Sequence, residues 1–95
     1  MRVSTDERDS GYAKWREWGG YKWRWRVFLD GVEVQKGCVT ADEETGEIRA
    51  AVLNARGGYQ IAPSGDAVWE EWRRGVVRIV IQDRQTGAVL YGSLP

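Results

Sequence analysis

The segment from residue 21 to residue 34, YKWRWRVFLDGVEV, predicts a β-hairpin and constrains the fold more than any other part of the chain. Its side chains alternate between two faces, as they do along a β-strand. The aromatic face carries Tyr21, Trp23, Trp25, Val27 and Leu29. The basic face carries Lys22, Arg24, Arg26 and Phe28. Asp30-Gly31 supplies the turn, because a type I′ turn needs positive φ at both central positions.

Turn residues divide the rest of the chain into further short elements. We expect a short helix over residues 12–18 that Gly19-Gly20 ends, and a helical turn over residues 66–74 that begins at Asp66. The buried stripe of this turn contains Val68, Trp69 and Trp72. A bulge at Lys36-Gly37 keeps the second strand in register. Strands are expected over residues 21–30, 32–41, 48–54, 59–62, 76–83 and 88–94.

These elements predict a mainly β fold with one or two short helices. Sequential hairpins favour an antiparallel meander of five to six strands that curls into a small barrel or roll. Residues 1–11 are polar and charged, so we expect a flexible N-terminal tail there. Residues 12–95 then form a single β-rich domain, in which large aromatic side chains supply much of the core.

Charge, cysteine content and hydropathy narrow the class of protein. The 14 basic and 14 acidic residues give a formal net charge of zero, whereas proteins that coat nucleic acid are usually basic. Cys38 is the only cysteine, so it forms no intramolecular disulfide, and we expect it to pack as a small buried apolar group. No long apolar run is present, so we expect no membrane association and a cytoplasmic location.

The chain contains no histidine, and this excludes most catalytic constellations. Ser-His-Asp triads, Cys-His dyads and histidine-based metal sites all require that residue. The consecutive carboxylates Asp42, Glu43 and Glu44 point in different directions in a strand or a turn, and the glycines form no phosphate-binding loop. We therefore expect a non-enzymatic protein with no catalytic residue, no cofactor and no metal site.

Cations, aromatic side chains and an acidic turn are the candidate contacts for a partner. The candidate residues are Trp15, Trp18, Lys22, Arg24, Arg26, Phe28, Asp42, Glu43 and Glu44. Trp and Arg are enriched at the energetic centres of protein interfaces, and the mixed charges also permit a homo-oligomer. Two plainer interpretations stay open. The tryptophans close the ends of a small barrel, or the basic strand is a solvated face on which Arg26 faces Gln35 and Phe28 faces Glu33.

Residues 25–47, WRVFLDGVEVQKGCVTADEETGE, resemble a pattern in small proteins of tailed bacteriophages and prophages. The shared order is an aromatic-rich strand, an LDG turn, a Cys-Val step and an acidic ADEE turn, followed by a strand such as residues 75–79. The resemblance lends this chain no functional residues. It implies a virion part or a stoichiometric inhibitor of a host enzyme or defence system, acting in the cytoplasm of a host bacterium.

The sequence therefore favours a non-enzymatic, phage-type protein-binding module. We expect it to inhibit a host protein, including a defence protein, or to take part in virion assembly. The alternative is a β-module that binds single-stranded nucleic acid through the basic strand 22–28, because such modules combine cations with stacking aromatic side chains. Affinity that falls steeply with salt distinguishes this alternative.

Overall fold

The structure is a computed structural model that describes residues 1–34 and 36–95. Its strands are β1 (Arg2–Ser4), β2 (Arg24–Leu29), β3 (Val32–Glu33), β4 (Cys38–Asp42), β5 (Glu47–Ala51), β6 (Glu70–Arg74), β7 (Val77–Gln82) and β8 (Val89–Tyr91). Helix α1 spans Tyr12–Trp18, and a 3-10 turn follows at Gly20–Lys22. The first sheet has the strand order β1-β4-β5-β6 and the second sheet has the order β3-β2-β7-β8.

The predicted fold class is confirmed in its broad form, since the described residues are mainly β and every strand pairing is antiparallel. They contain eight strands instead of the predicted five to six: β1 and β6 were not predicted as strands, and residues 32–41 contribute two strands. The strand predicted over residues 59–62 is reduced to isolated bridges at Tyr59 and Ile61. The two sheets do not close into a barrel within residues 1–34 and 36–95, so the barrel or roll is not confirmed. No helix in these ranges combines the length and hydropathy that crossing a bilayer requires.

The predicted hairpin forms around Asp30-Gly31, and both residues have positive φ, 52° and 81°. β2 pairs with β3 across this turn, and its other edge pairs with β7 at six consecutive positions. Strand β7 matches the strand predicted over residues 76–83 to within a residue at each end. Strand β2 is therefore an internal strand of the second sheet, and β3 is its edge.

The second predicted strand, residues 32–41, is wrong as a single strand. β3 ends at Glu33, and β4 begins at Cys38 in the other sheet. The chain changes sheets at Gly37, where a bulge was expected. The Gly37 carbonyl accepts a 2.9 Å hydrogen bond from the N–H of Ala51, so the crossing is fixed against β5.

The prediction that residues 1–11 form a flexible tail is wrong for residues 2–4. β1 pairs with β4 at three positions, and the side chain of Val3 is buried in the core. The hydroxyl groups of Ser4 and Thr40 form a 2.8 Å hydrogen bond across the two strands. Both Val3 and Ser4 are buried, so packing and hydrogen bonding hold this short strand against β4.

The predicted helix over residues 12–18 is confirmed, whereas the helical turn predicted over residues 66–74 is wrong. Residues 70–74 form β6, which pairs with β5 at five positions. This pairing satisfies backbone groups that an unpaired β5 edge would leave exposed. Trp69 and Trp72 are 41% and 51% exposed, and Val68 is exposed as well, so the predicted buried stripe does not form.

Aliphatic side chains form the core between the two sheets. The core residues are Val3, Val27, Leu29, Ala41, Ile48, Ala50, Val77, Ile79 and Ile81. Trp15, Trp18, Trp23 and Trp25 are half-buried at the margin of this cluster. Tyr21, which was expected to point inward, is 71% exposed. The tryptophans therefore border the core instead of filling it.

Candidate functional site

Two candidate residues of the basic strand make internal contacts. Arg26 donates hydrogen bonds to both carboxylate oxygens of Glu33, at 2.8 and 2.9 Å, and these bonds lower the pKa of Glu33. The Arg26 guanidinium lies 5.3 Å from the ring centroid of Phe28. Phe28 was expected to be exposed but is only 5% exposed, and its pairing with Glu33 is confirmed. Gln35, the expected partner of Arg26, lies outside the described residues.

Asp42, the first residue of the acidic turn, is buried and has a structural role. Its carboxylate accepts hydrogen bonds from the N–H groups of Glu44 and Thr45, at 2.9 and 3.1 Å, and from Arg2 at 3.2 Å. Burial acts to raise the pKa of Asp42, but these hydrogen bonds outweigh it and lower the pKa. The side chain therefore shapes the turn and is not offered to a partner.

Glu43, the second acidic residue, joins the two sheets. Its carboxylate accepts a 2.6 Å hydrogen bond from the Tyr91 hydroxyl and a 3.1 Å bond from the N–H of Ile79. The N-terminal ammonium of Met1 lies 3.5 Å away. Only the third residue, Glu44, projects into solvent. In the described ranges no group of three or more metal-ligating side chains is placed to hold an ion.

Trp18 and Lys22 also belong to local packing contacts. The indole N–H of Trp23 donates a 2.8 Å hydrogen bond to the carbonyl of Trp18. The ring of Trp18 packs edge to face against Tyr91, with 5.8 Å between the centroids. The ammonium of Lys22 lies 4.8 Å from the ring centroid of Trp23. Both residues therefore help to hold α1 and the following turn against the second sheet.

A pocket of about 510 Å³ lies between the two sheets. Its apolar walls include Trp15, Trp25, Val27, Val34 and Cys38. The indole N–H of Trp25 donates a 2.8 Å hydrogen bond to the carbonyl of Gly20, so this wall is fixed. Pockets that bind small molecules have volumes of about 300–1,000 Å³ and mostly apolar walls with a few polar groups.

Three exposed cations, Arg24, Lys36 and Arg84, also line the pocket, and we call them the cationic rim. None of them forms an ion pair with a described residue, and no described acidic residue lines the pocket. Arg84 donates a 3.0 Å hydrogen bond to the carbonyl of Tyr21, and the ammonium of Lys36 lies 4.9 Å from the ring centroid of Tyr59. The rim is therefore positively charged, although the chain as a whole is neutral.

Cys38 forms part of the pocket wall and is half-buried. Burial raises the pKa of its thiol to about 11, although the charge of Arg73 acts in the opposite direction. The thiol also donates a long, 3.5 Å hydrogen bond to the carbonyl of Thr40. Cys38 is therefore a neutral thiol near pH 7, and it packs against the core as a small group that is half-buried instead of buried as predicted.

Residues 52–69, which connect β5 to β6, form an extension that we call the arm. Its segments bond to one another: the N–H of Val52 donates to the carbonyl of Trp69, that of Trp69 to Gln60, and that of Gln60 back to Val52, at 2.7 to 2.9 Å. The side-chain oxygen of Asn54 accepts hydrogen bonds from two backbone N–H groups of the first turn. The arm therefore has a defined backbone without packing into the core.

One side of the arm carries an apolar patch that sequence analysis missed. Leu53 lies opposite Tyr59 and Ile61 lies opposite Val68 in antiparallel bridges, and opposite residues project to the same side. Trp72, four residues after Val68 along an extended segment, continues this side onto β6. These five residues are the apolar patch, and each is between 41% and 54% exposed. The segments are too short for their alternation to be read from sequence alone.

The nine candidate residues do not form one site. Trp15 and Arg24 are both among the residues that line the pocket, whereas Arg26 and Phe28 are not. The acidic turn stabilises the junction of the sheets. Lys36 and Arg84 were missed because they are far from Arg24 in sequence. The structure thus offers two candidate sites, the pocket with its cationic rim and the apolar patch of the arm.

Comparisons of the chain with protein-family models, with curated proteins and with solved structures found no match. The resemblance of residues 25–47 to small phage proteins therefore stays a prediction. Function has to be inferred from the shape, charge and exposure of the two candidate sites.

Proposed function

We propose that the protein is a non-enzymatic protein-binding module and that the apolar patch of the arm is its main contact surface. The observation that supports this proposal is the exposure of five large apolar side chains, 41% to 54% each, on one side of the arm and β6. Exposed apolar side chains that are grouped on one side of an element favour an interaction site, and here cations border them, with Lys36 over Tyr59 and Arg2 and Arg49 beside Trp72. Tyr59 and Trp72 belong to the residue types that contribute most to interface energies.

The backbone of the arm favours this role because it is already ordered. Its segments are joined by their own hydrogen bonds, and two turns close them at Asn54–Gly58 and Ala62–Gly65. A surface that is ordered before binding loses less conformational entropy when it meets a partner. The patch can therefore act as a preformed contact.

The resemblance of residues 25–47 to phage proteins supports a more specific version of this proposal. Binding would occlude a host protein, including a defence protein, or would join the chain to other virion parts, in the cytoplasm of a host bacterium. Both mechanisms require stoichiometric contact and no chemical step by this chain. A chain without histidine is compatible with either.

Nucleic-acid binding is the second candidate, and the exposed cations Lys22 and Arg24 favour it. It is weaker than the sequence predicts, because Arg26 is paired with Glu33 and Phe28 is buried beneath Arg26. Single-strand binding modules need exposed aromatic side chains beside their cations. Lys22 and Arg24 are thus exposed, but Phe28 is not available to stack on a base.

A pull-down of the tagged protein from bacterial lysate, with and without nuclease, tests the proposal. We expect one protein to be retained in stoichiometric amount after nuclease treatment, and we expect Ile61→Asp to abolish its retention. The control is Val32→Asp, which places the same charge on another exposed aliphatic residue outside the arm. Recovery of nucleic acid alone, lost at high salt, would replace the proposal with the alternative.

A further inference from the structure

We propose that the pocket between the two sheets binds a small molecule that has an apolar, preferably aromatic, body and one anionic group. The body would occupy the apolar walls, and a carboxylate, phosphate or sulfonate would face the cationic rim. This proposal goes beyond protein binding by the arm. The pocket walls come from other elements than the apolar patch, and the two sites meet where Lys36 and Gly37 of the pocket lie next to Tyr59 of the patch.

The walls of the pocket favour an apolar body because their aromatic side chains are held in place and the indole N–H of Trp25 already has a hydrogen-bond partner. Trp15 packs edge to face against Tyr21, with 4.9 Å between the ring centroids, and lies close against Gly20. The indole N–H of Trp25 already donates a hydrogen bond to the carbonyl of Gly20. Cys38 is protonated near pH 7 because burial raises its pKa to about 11, so the wall carries no negative charge. A preformed apolar cavity favours binding of an apolar ligand that fills it, because the walls do not have to reorganise.

The cationic rim favours one anionic group at the opening. Arg24, Lys36 and Arg84 come from three separate parts of the chain, and the described lining of the pocket that they share contains no carboxylate, although the charge of Arg24 also helps to lower the pKa of Glu33. Elsewhere on the molecule, Arg2, Arg26 and Arg49 form ion pairs with carboxylates, which the three rim cations do not do among the described residues. Charge-assisted hydrogen bonds from guanidinium groups are directional and suit carboxylates, phosphates and sulfonates. The chemistry of the pocket is therefore complementary to an amphipathic anion.

The test compares two fluorescent probes with the same aromatic skeleton. The first, 8-anilinonaphthalene-1-sulfonate, carries a permanent negative charge, and the second, N-phenyl-1-naphthylamine, carries none. We expect the sulfonate probe to bind the protein at one site and more tightly than the neutral probe. Replacing one rim cation, as in Arg24→Gln, should weaken sulfonate binding about threefold, and replacing all three should weaken it about 20-fold or more. Binding of the neutral probe should not change.

Two controls separate the pocket from the rest of the surface. Arg78→Gln removes an exposed cation that does not line the pocket, and it should leave the affinity for both probes unchanged. Ile61→Asp disrupts the apolar patch and should also leave sulfonate binding unchanged. Equal affinity for the two probes, or loss of sulfonate binding in Ile61→Asp with none in Arg24→Gln, would overturn the proposal.

Cys38 supplies a second readout that is independent of fluorescence. It is the only cysteine of the chain and lies in the pocket wall, so its alkylation by iodoacetamide reports on access to the pocket. We expect the sulfonate probe to slow alkylation in proportion to the fraction of protein that has bound it. Alkylation that is unaffected by saturating probe would place the probe elsewhere and contradict the proposal. Failure of this test leaves partner binding by the arm intact, because the pull-down measures a different surface.

Discussion

Gly37 occupies a position where both the backbone and the surroundings exclude a side chain. Its φ is 76°, and a Cβ atom there would lie 2.7 Å from the Cβ of Ala51 and 3.0 Å from the ring of Tyr59. The chain crosses between the sheets at this residue, so a displacement here disturbs the pairing of β4 with β5. We predict that Gly37→Ala lowers the free energy of unfolding by about 3 kcal/mol, measured by urea denaturation, because backbone strain and overpacking add.

Gly57 is the matched control for this substitution. Its φ is 77°, nearly the same as that of Gly37, but nothing lies within 4 Å of a Cβ atom built there. Gly57→Ala should therefore show only the conformational effect, about 1–2 kcal/mol. If the two substitutions destabilise the protein equally, the close packing at the crossing contributes nothing.

The hydrogen bond between Tyr91 and Glu43 makes stability depend on pH in the alkaline range. It raises the pKa of Tyr91 to about 12, with burial as the second cause, whereas the tyrosine of an unfolded chain has a pKa of about 10. The folded state therefore holds the phenol proton more tightly. The resulting stabilisation is complete below about pH 10 and is lost as pH rises through the folded pKa.

Absorbance titration of the phenolate checks this prediction, with Tyr91→Phe identifying the Tyr91 component among the four tyrosines. We expect Glu43→Gln to shift the pKa of Tyr91 downward, toward the unfolded value, because the substitution removes the negative charge that disfavours the phenolate. We also expect Tyr91→Phe to reduce the loss of stability above pH 10. A Tyr91 pKa that does not respond to Glu43→Gln would show that the carboxylate is not its main cause.

At the scale of elements, β1 shows how much a short strand contributes when one of its side chains is buried. Val3 lies in the core, whereas Val32 of β3 is 70% exposed. We predict that Val3→Ala lowers the free energy of unfolding by about 2 kcal/mol, because two buried methyl groups are lost and a cavity is left. Val32→Ala should change it by less than about 0.5 kcal/mol. Chemical denaturation of both variants tests the difference, and a Val3→Ala variant as stable as the wild type would return residues 2–4 to the role of a tail.

The elements that the sequence predicted correctly are those with a strong local signal. Asp30-Gly31 specifies its own turn, α1 is bounded by Gly19-Gly20, and the β-branched residues of β7 favour a strand. β6 was predicted as a helical turn because Asp66 resembles a helix cap and Trp69 and Trp72 have helical spacing. Its strand conformation depends on pairing with β5, which lies about 20 residues earlier in the chain. The sequence around β6 does not indicate that β5 has an edge available for pairing.

At the scale of the whole molecule, the two candidate sites depend on contacts between residues that are far apart in the sequence. The cationic rim combines Arg24, Lys36 and Arg84, and only the two-sheet arrangement brings them to one pocket. The sequence pattern places Arg24 and Arg26 on one face of a strand, but it could not show that Glu33 forms an ion pair with Arg26 and not with Arg24. Exposed aromatic side chains lie at Tyr59 of the arm and Trp72 of β6, whereas the candidate contacts Trp15 and Trp18 are half-buried beside the core.

The apolar patch carries the central claim, and a comparison of two charged variants tests it most directly. Ile61 is 54% exposed in the patch and Val32 is 70% exposed outside it, so an aspartate at either position should leave the fold intact. The measurement is the amount of partner protein retained from nuclease-treated lysate by each variant relative to the wild type. The account predicts that Ile61→Asp loses the partner and Val32→Asp keeps it. Equal retention by both variants, or loss in Val32→Asp alone, would contradict it.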